Sequence, residues 1–508
     1  MNESKSELPE NRQTFPNDDS KKTKEKNPLS VIWVAATILL CVAFTVVSVP
    51  QVFAQGRQEN QNQANRQFIS FIQTVFDFVQ RNFVEEVDPR TLYEGAMNGL
   101  FNSLDDPYSS FLGEKEMSDL TDTTRGSFGG IGVNIIKPGD FVEVVSPIEG
   151  TPGWRAGLNP GDLIIQINQT SSADLTLDEV LNNLRGTPGS QVNLIIRRGT
   201  LDFPVTITRA VIEVPTARSA MIGEVGYLRL LTFTPNTVDR AREAIEEFKS
   251  KNYRGMILDL RNNFGGVLQG AVGVSDLFLD GGVVVSTRSR IPSENHVFTA
   301  RSAAFVSENI PVVVLINRGS ASASEIVAGA LKDRGRAFLV GETTFGKGSV
   351  QQVFPLDRQS GFKLTIARYY TPSGVNIDKV GIPPDREIRL PEITESDAER
   401  INRLLSERRI PIFLEANPQA SVDAIQRFAR GLQEEFQLDL MLVRRLIRNE
   451  QNRTLRTPPV YDMDYDIQLQ EAIRIIRSGE FNSLMRAAKT LKSLQEEAEG
   501  ADAFPIAS

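Results

Sequence analysis

The spacing of apolar positions divides the chain into stretches of different texture. From Leu29 to Ala54 the chain is almost uncharged and strongly apolar, long enough to cross a bilayer as a helix of about 20 residues. A polar spacer over 55–67 follows, and then Phe68, Ile72, Val75, Phe76 and Val79 recur at helical spacing, which predicts one apolar helix face. A second helix is expected after Asp88 as cap, with Pro89 in its first turn and Leu92, Ala96 and Leu100 on one side. This pair either packs on the next domain or serves as a dimerisation arm; the pattern does not separate the two.

From Gly126 the rhythm shortens to strands punctuated by glycine. Ile131, Val133 and Ile135 alternate as a half-buried strand would, and further strands are expected over 141–145, 163–167 and 192–197. Thr176 and Glu179 fit a capping box for a helix over 177–185 that Gly186 ends. Residues 213–390 then alternate strands (226–233, 255–260, 282–286, 311–316, 337–340, 349–355, 362–371) with helices (236–251, 267–279 and one after Ser322). Such alternation implies an α/β layer fold with a partly parallel sheet. From Glu392 onward the chain is charged and helical: Ser421 caps a helix with Val422, Ile425, Phe428, Ala429, Leu432 and Phe436 on one face, and 466–477 and 481–499 read similarly. A packing or oligomerisation role is the expectation for this last part.

Composition narrows the chemistry by two near-absences. The 508 residues include one cysteine, Cys41, and one histidine, His296. An intrachain disulfide is impossible, and a zinc site, which needs three or four ligands, is not expected. A Ser-His-Asp triad would have to use His296, which sits in the polar segment 290–296 and reads as a surface-loop residue. The net charge of −8 argues against a nucleic-acid partner. Lys21, Lys22, Lys24 and Lys26 precede the apolar run, and only Arg57 and Arg66 follow it closely. This asymmetry predicts a cytoplasmic N-terminus with the bulk of the chain outside. A cleaved signal peptide, with 52–54 as a small-residue cleavage site, is the alternative, but the run is longer than a usual signal core and favours an uncleaved anchor.

Three clusters carry candidate chemistry. The run Asn317-Arg318-Gly319-Ser320-Ala321-Ser322-Ala323-Ser324-Glu325 lies between an apolar strand and a small-residue helix. A hydroxyl at such a turn meets free backbone N–H groups and the positive end of the helix dipole, which suits a nucleophile whose product is an oxyanion. Ser320, Ser322 and Ser324 all lie near the helix start, and spacing does not choose between them; Ser322 with Glu325 also fits a capping box. The second cluster places Lys347 between Gly346 and Gly348 after apolar Phe345. Burial there would lower the lysine pKa, and a neutral lysine can take a serine proton where histidine is absent. In an extended Lys347–Val353 segment, Lys347, Ser349 and Gln351 share a face, so Gln351 would orient the amine. The third cluster, Asp259-Leu260-Arg261-Asn262-Asn263-Phe264-Gly265-Gly266, ends in a glycine pair able to expose half an oxyanion hole, with the Ala323 N–H as the other half.

Two resemblances follow from these motifs. The Gly129-Gly130-Ile131-Gly132 loop and the Ala156-Gly157-Leu158…Gly161-Asp162 turn resemble a PDZ domain; in that family the loop N–H groups hold a peptide's terminal carboxylate and the peptide adds a strand beside the residues that follow, here from Val133. Ser320-Ala321-Ser322-Ala323-Ser324-Glu325-Ile326 and Phe345-Gly346-Lys347-Gly348-Ser349-Val350-Gln351 resemble the carboxyl-terminal processing, or tail-specific, proteases of the Ser/Lys type, over roughly residues 68–390. That resemblance implies Ser322 as nucleophile, Lys347 as general base and Gln351 as the residue that positions it. It also implies an oxyanion donor from Gly265 or Gly266; Phe264 stands where the family more often has proline, and the choice between the glycines stays open.

The organisation expected is a cytoplasmic tail (1–28), a transmembrane anchor or signal segment (29–54), an N-terminal helical region (60–114), a PDZ domain (115–210) inserted ahead of a crotonase-like protease core (211–392), and a C-terminal helical domain (393–508). The function implied is endopeptidase action on extracytoplasmic (periplasmic) proteins with apolar C-termini, by a single-pass protein of the inner membrane, with no metal or organic cofactor. A homodimer through the helical N- and C-terminal regions, or an adaptor, would be further partners. Rival readings are a tail-binding scaffold without turnover and a crotonase-type acyl-CoA enzyme, the latter at odds with an exported location.

Overall fold

Strand Val312–Ile316 is entirely apolar and entirely buried, and the central sheet is built around it. Its neighbours are Gly255–Asp259 and Phe338–Gly341, both parallel to it. Val225–Leu230 pairs parallel outside Gly255–Asp259, and Ala217–Ile222 closes that edge antiparallel. Arg386–Glu387 adds a short parallel strand on the other side. Parallel strands buried on both faces read as continuous apolar runs, which is why these were legible and the two-residue edge strand was not. The computed structural model describes residues 65–502, apart from 302, 391–392, 454 and 456–458.

Both faces of the sheet are covered. Helices Thr237–Ser250, Leu268–Asp276 and Ala323–Asp333 bury Phe248, Val274 and Val327 against one face. Helix Ile467–Ser478 covers the other, where Leu469, Ala472 and Ile473 pack with Tyr227, Ile257, Val313 and Val340. The last part of the chain thus completes the core, whereas helices within 395–453 form a separate cluster around Leu404, Leu432, Phe436 and Val443. Ser421 caps Val422–Phe436 as expected, although Val422 itself is exposed.

A second, antiparallel sheet packs beside the core. Gly361–Tyr370 is its centre, paired with Ser349–Pro355, Gly282–Arg288 and Ser110–Leu112. Ser110–Leu112 lies within the expected N-terminal helical region, so a strand ahead of the insert belongs to the sheet behind it. The insert is closed at its base by Ser127–Gly130 pairing with Ala210–Glu213. Its own sheet runs Val133–Ile136, Val142–Pro147, Leu163–Ile167, Gln191–Arg198, Leu201–Thr208 around Val144, Ile164 and Ile196. Helix Leu177–Leu184 starts at the Thr176–Glu179 capping box. Arg453 Nη1 reaches Glu143 Oε1 of the insert at 2.7 Å.

The chain divides into two compact units after Ala96. In the first, a helix over 65–82 exposes Phe68, Ile72 and Val75. Asp88 Oδ1 accepts the Arg90 N–H at the start of Pro89–Asn102. The end of that helix belongs to the second unit, where Leu100 is exposed and the buried residue is Phe101, packed on Phe362; the expected Leu92–Ala96–Leu100 stripe is one residue out of phase with this contact. The 29–54 segment lies outside the described residues, among which no helix is long and apolar enough to cross a membrane.

One polar junction fastens helix Ile467–Ser478 to the end of a core strand. Asp259 is fully buried and holds Tyr227 Oη at 2.7 Å and Arg261 Nη2 at 2.6 Å. Arg261 also makes a bidentate pair with Asp466 (2.8 and 2.6 Å) and donates to Gln468 Oε1. Asp466 in turn accepts the Leu469 N–H as the cap of Ile467–Ser478. Removing one partner of a buried pair leaves an uncompensated charge. Arg261→Ala, which would leave the fully buried Asp259 carboxylate without its cation, is therefore expected to lower unfolding free energy by about 3–5 kcal/mol, read by urea denaturation followed by circular dichroism.

Candidate active site

Three adjacent parallel strands, Gly255–Asp259, Val312–Ile316 and Phe338–Gly341, send their C-terminal ends into the loops 260–267, 317–322 and 342–348. In parallel sheets the crevice beyond the strand C-termini is the usual place for a ligand. All three sequence clusters meet there.

The structure separates the three serines that spacing left equivalent. Ser320 Oγ donates to Leu260 O at 2.8 Å and accepts the Asn317 N–H. Ser324 Oγ donates to Asn263 O at 2.8 Å. Both hydroxyls are fully buried and fasten the 317–324 loop to the 260–263 loop. Ser322 Oγ is the exception: its partner is a side chain, Tyr369 Oη, at 3.3 Å. Ser322 also carries φ 55° and ψ −112°, a conformation that costs a non-glycine residue of order 1–3 kcal/mol and persists only where its surroundings impose it.

Glu325 imposes it. This fully buried residue, in the first turn of helix Ala323–Asp333, accepts the Ser322 N–H on Oε2 at 2.8 Å, the glutamate half of the capping box. The same carboxylate accepts the Lys347 N–H (2.9 Å), the Gly346 N–H (2.7 Å) and Thr344 Oγ1 (2.6 Å). Burial pushes its carboxyl up, and the hydrogen bonds pull against that shift. Gly346, at φ +89°, lies against Val380 and Gly381, where a Cβ would come within 3.0 Å of backbone nitrogen. The glycine before the lysine thus serves both left-handed backbone and close approach.

The Lys347 side chain is half-buried, and its Nζ lies 4.8 Å from the centre of the Tyr108 ring. Among the described residues no acceptor takes a hydrogen bond from it. Burial, with Lys363 nearby, lowers its pKa, against the opposing pull of Glu325 and Asp106. Lys347 Nζ and Ser322 Oγ are not hydrogen-bonded to each other. Gln351 makes no hydrogen bond to the amine: its Nε2 donates to Ser349 Oγ (2.8 Å) and Thr365 Oγ1 (3.3 Å). Strand Ser349–Pro355 starts after the lysine, and its register shifts between Val350 and Gln351, so simple alternation from Lys347 to Gln351 does not hold.

Gly265 faces the turn at Ser322; a Cβ on it would come 2.8 Å from Ser322 Cβ and 3.0 Å from Ala323 N. Its N–H is already donated to Asn263 Oδ1 at 2.9 Å. The N–H groups of Gly266 and Ala323 find no acceptor among the described residues. They are the donors left open to an incoming anion, the Ala323 group at the start of a buried helix.

In the insert, Gly129 and Gly130 lie on the strand that closes its base, and a Cβ on Gly129 would collide with Gly186 O at 2.1 Å. The Ile131 and Gly132 N–H groups follow on a buried turn and have no acceptor among the described residues. Val133 begins a strand paired on one side only. Open N–H groups ahead of an open strand edge suit a terminal carboxylate and an added strand. His296 is exposed beside Phe298, apart from these groups. Sequence reasoning passed over Tyr108 and Tyr369, since nothing in the local pattern marks either as facing the serine–lysine loops, and it read Glu325 only as a cap partner.

Comparison with known proteins agrees with this architecture. The family model "Peptidase family S41" matches residues 224–388, "PDZ domain" matches 143–198, and "Activating protease CtpB N-terminal domain" matches 42–116. The chain is 40% identical over 346 residues to a carboxy-terminal-processing protease of Bartonella bacilliformis, spanning 67% of this chain and 79% of that one. It is 35% identical over 319 residues to the carboxy-terminal processing protease CtpA of Bacillus subtilis, spanning 62% and 68%. Among solved structures it is similar to a photosystem II D1 C-terminal processing protease, at 33% identity over 64% of this chain and 87% of that one, with a TM-score of 0.39. By family match, relatives and domain content alike, this chain belongs to the carboxyl-terminal processing serine proteases of peptidase family S41.

Proposed function

We propose that this protease is an exported endopeptidase, anchored by residues 29–54, that takes proteins by their apolar C-termini in its PDZ domain and cuts them with Ser322 as nucleophile and Lys347 as general base. The observation that carries the reading is the contrast among the serines: Ser320 and Ser324 spend their hydroxyls on backbone carbonyls, and Ser322 does not. The half-buried lysine, with no acceptor among the described residues and on a loop held by the same Glu325, supplies a base of lowered pKa. The lysine run before residue 29 supports the anchor and its orientation. The layered core with its open N–H pair is in keeping with a crotonase-like fold.

In this mechanism Ser322 Oγ attacks the scissile carbonyl while neutral Lys347 Nζ takes its proton. The carbonyl oxygen becomes anionic and is met by the Ala323 and Gly266 N–H groups. Lysine returns the proton to the departing amine. Water, deprotonated by the same lysine, then attacks the acyl ester and frees the serine. Because the dyad is not hydrogen-bonded at rest, the Lys347 side chain must turn towards Ser322 when substrate enters, as catalytic hydrogen bonds often tighten only in the complex. Gln351 acts on the lysine through the fastening of the 349–351 segment rather than by direct contact at rest.

Four outcomes test the reading. Ser322→Ala and Lys347→Ala should each lower kcat by at least about 10³-fold against an unfolded protein with an apolar tail. Parent activity should rise with pH through the lowered lysine pKa, since only the neutral amine accepts a proton and protonation below that value removes the base; a profile flat from about pH 5 to 10 would refute the lysine's role. An apolar tail should be cut faster than the same protein ending in charged residues. Gly132→Ala, whose Cβ would come 2.4 Å from Thr151 Cβ, should erase that preference. Lastly, Glu325→Gln replaces two acceptor oxygens by one and turns an amide donor towards backbone N–H groups. It should cost about 1–3 kcal/mol for each donor stranded, measured by urea denaturation, and abolish turnover.

A further inference from the structure

The side chain hydrogen-bonded to the proposed nucleophile is neither Lys347 nor Gln351 but Tyr369. Tyr369 lies on strand Gly361–Tyr370, only 6% exposed, with its ring in the main core cluster. Its backbone is fixed on both sides: the Tyr369 N–H donates to Gly348 O at 2.8 Å, one residue past the lysine, and Tyr369 pairs with Thr287 across the sheet. The sheet fixes the backbone and burial in the core holds the ring, so packing sets where the hydroxyl lies. Its Oη has one hydrogen-bond partner among the described residues, Ser322 Oγ.

A buried phenol O–H needs an acceptor, because leaving it unpaired forfeits a hydrogen bond that water would have supplied. Among the described residues no carbonyl or carboxylate accepts from Tyr369 Oη, so the tyrosine proton is assigned to Ser322 Oγ. The reverse arrangement, serine donating to tyrosine, would strand the phenol proton and turn the serine proton away from the lysine. Burial and the nearby Glu325 raise the phenol's pKa, against the lowering effect of its bond to Ser322, which keeps it a donor rather than a base.

We propose that Tyr369 is a further catalytic residue, whose Oη donates a hydrogen bond to Ser322 Oγ, directs the serine's own proton towards Lys347 and stabilises the charge that gathers on Oγ. During attack the Ser322 O–H bond breaks and its proton passes to Lys347 Nζ, while the Oγ electron pair forms the bond to the carbonyl carbon. Tyr369 keeps its proton throughout. The same donor assists when Oγ leaves as the acyl-enzyme is hydrolysed. This inference rests on Ser322 being the nucleophile.

The test labels full-length protein with an alkyl fluorophosphonate, a probe that needs the serine's nucleophilicity but not the PDZ domain, and measures kcat and KM on a peptide substrate. Tyr369→Phe keeps the ring and removes only the donor. It should slow labelling at Ser322 and lower kcat by about tenfold, the order of one hydrogen bond to a developing charge, with KM and thermal midpoint unchanged. Labelling and kcat equal to the parent's, or a rise in KM alone, would overturn the proposal. Should Tyr369→Phe not fold, 3-fluorotyrosine at this position, similar in shape and a stronger donor, should label faster than the parent; equal or slower labelling overturns it. Labelling of Ser322→Ala as fast as the parent's would overturn the nucleophile assignment instead, whatever Tyr369 does.

Discussion

The Glu325 carboxylate is where the two halves of the site are joined. A fully buried acid is costly unless its lone pairs are filled, and here four donors fill them: the Ser322, Gly346 and Lys347 N–H groups and the Thr344 hydroxyl. Two of those donors lie in the residues proposed as nucleophile and base, which are 25 positions apart in the chain. The strained backbone at Ser322 and the left-handed Gly346 persist because this one group over-determines both. Thr344 extends the junction, since its hydroxyl also accepts the Ile382 N–H.

A second polar junction supports the first from the strand below. Asp259 and Arg261 hold the end of strand Gly255–Asp259, and through Asp466 and Gln468 they hold the helix that covers the sheet's far face. From that strand end the chain turns directly into Asn263, which donates to Leu230 O, orients Gly265 and gives its carbonyl to Ala321 N and Ser324 Oγ. The open Gly266 and Ala323 N–H groups are thus set by a chain of satisfied groups that reaches into the C-terminal helices. Preorganised donors of this kind do not have to reorient as charge develops.

Much of the architecture was legible from residue order. The buried parallel strands were found because their apolar runs are continuous, and the Thr176 and Ser421 caps because a side-chain oxygen at a helix start has a local partner. The boundaries that moved are those decided by distant pairing. Ser110–Leu112 is a strand only because Gly361–Lys363 lies beside it. Arg386–Glu387 is one only because Val340 and Gly341 are its neighbours. The stripe expected on Pro89–Asn102 failed by one position, since Phe101 has Phe362 to meet and Leu100 has no such partner in the core.

The sequence by itself determined the chemical inventory: no cysteine pair, no histidine outside a surface loop, three serines at a helix start and one lysine between glycines. Motif spacing determined the family. Which serine does not spend its hydroxyl on a backbone carbonyl, which glycine keeps its N–H open among the described residues, and which side chain the Ser322 hydroxyl meets were decided only by the tertiary structure. The reason is physical: each answer depends on hydrogen bonds to groups dozens of residues away, at Leu260, Asn263 and Tyr369, and local periodicity carries no information about such partners.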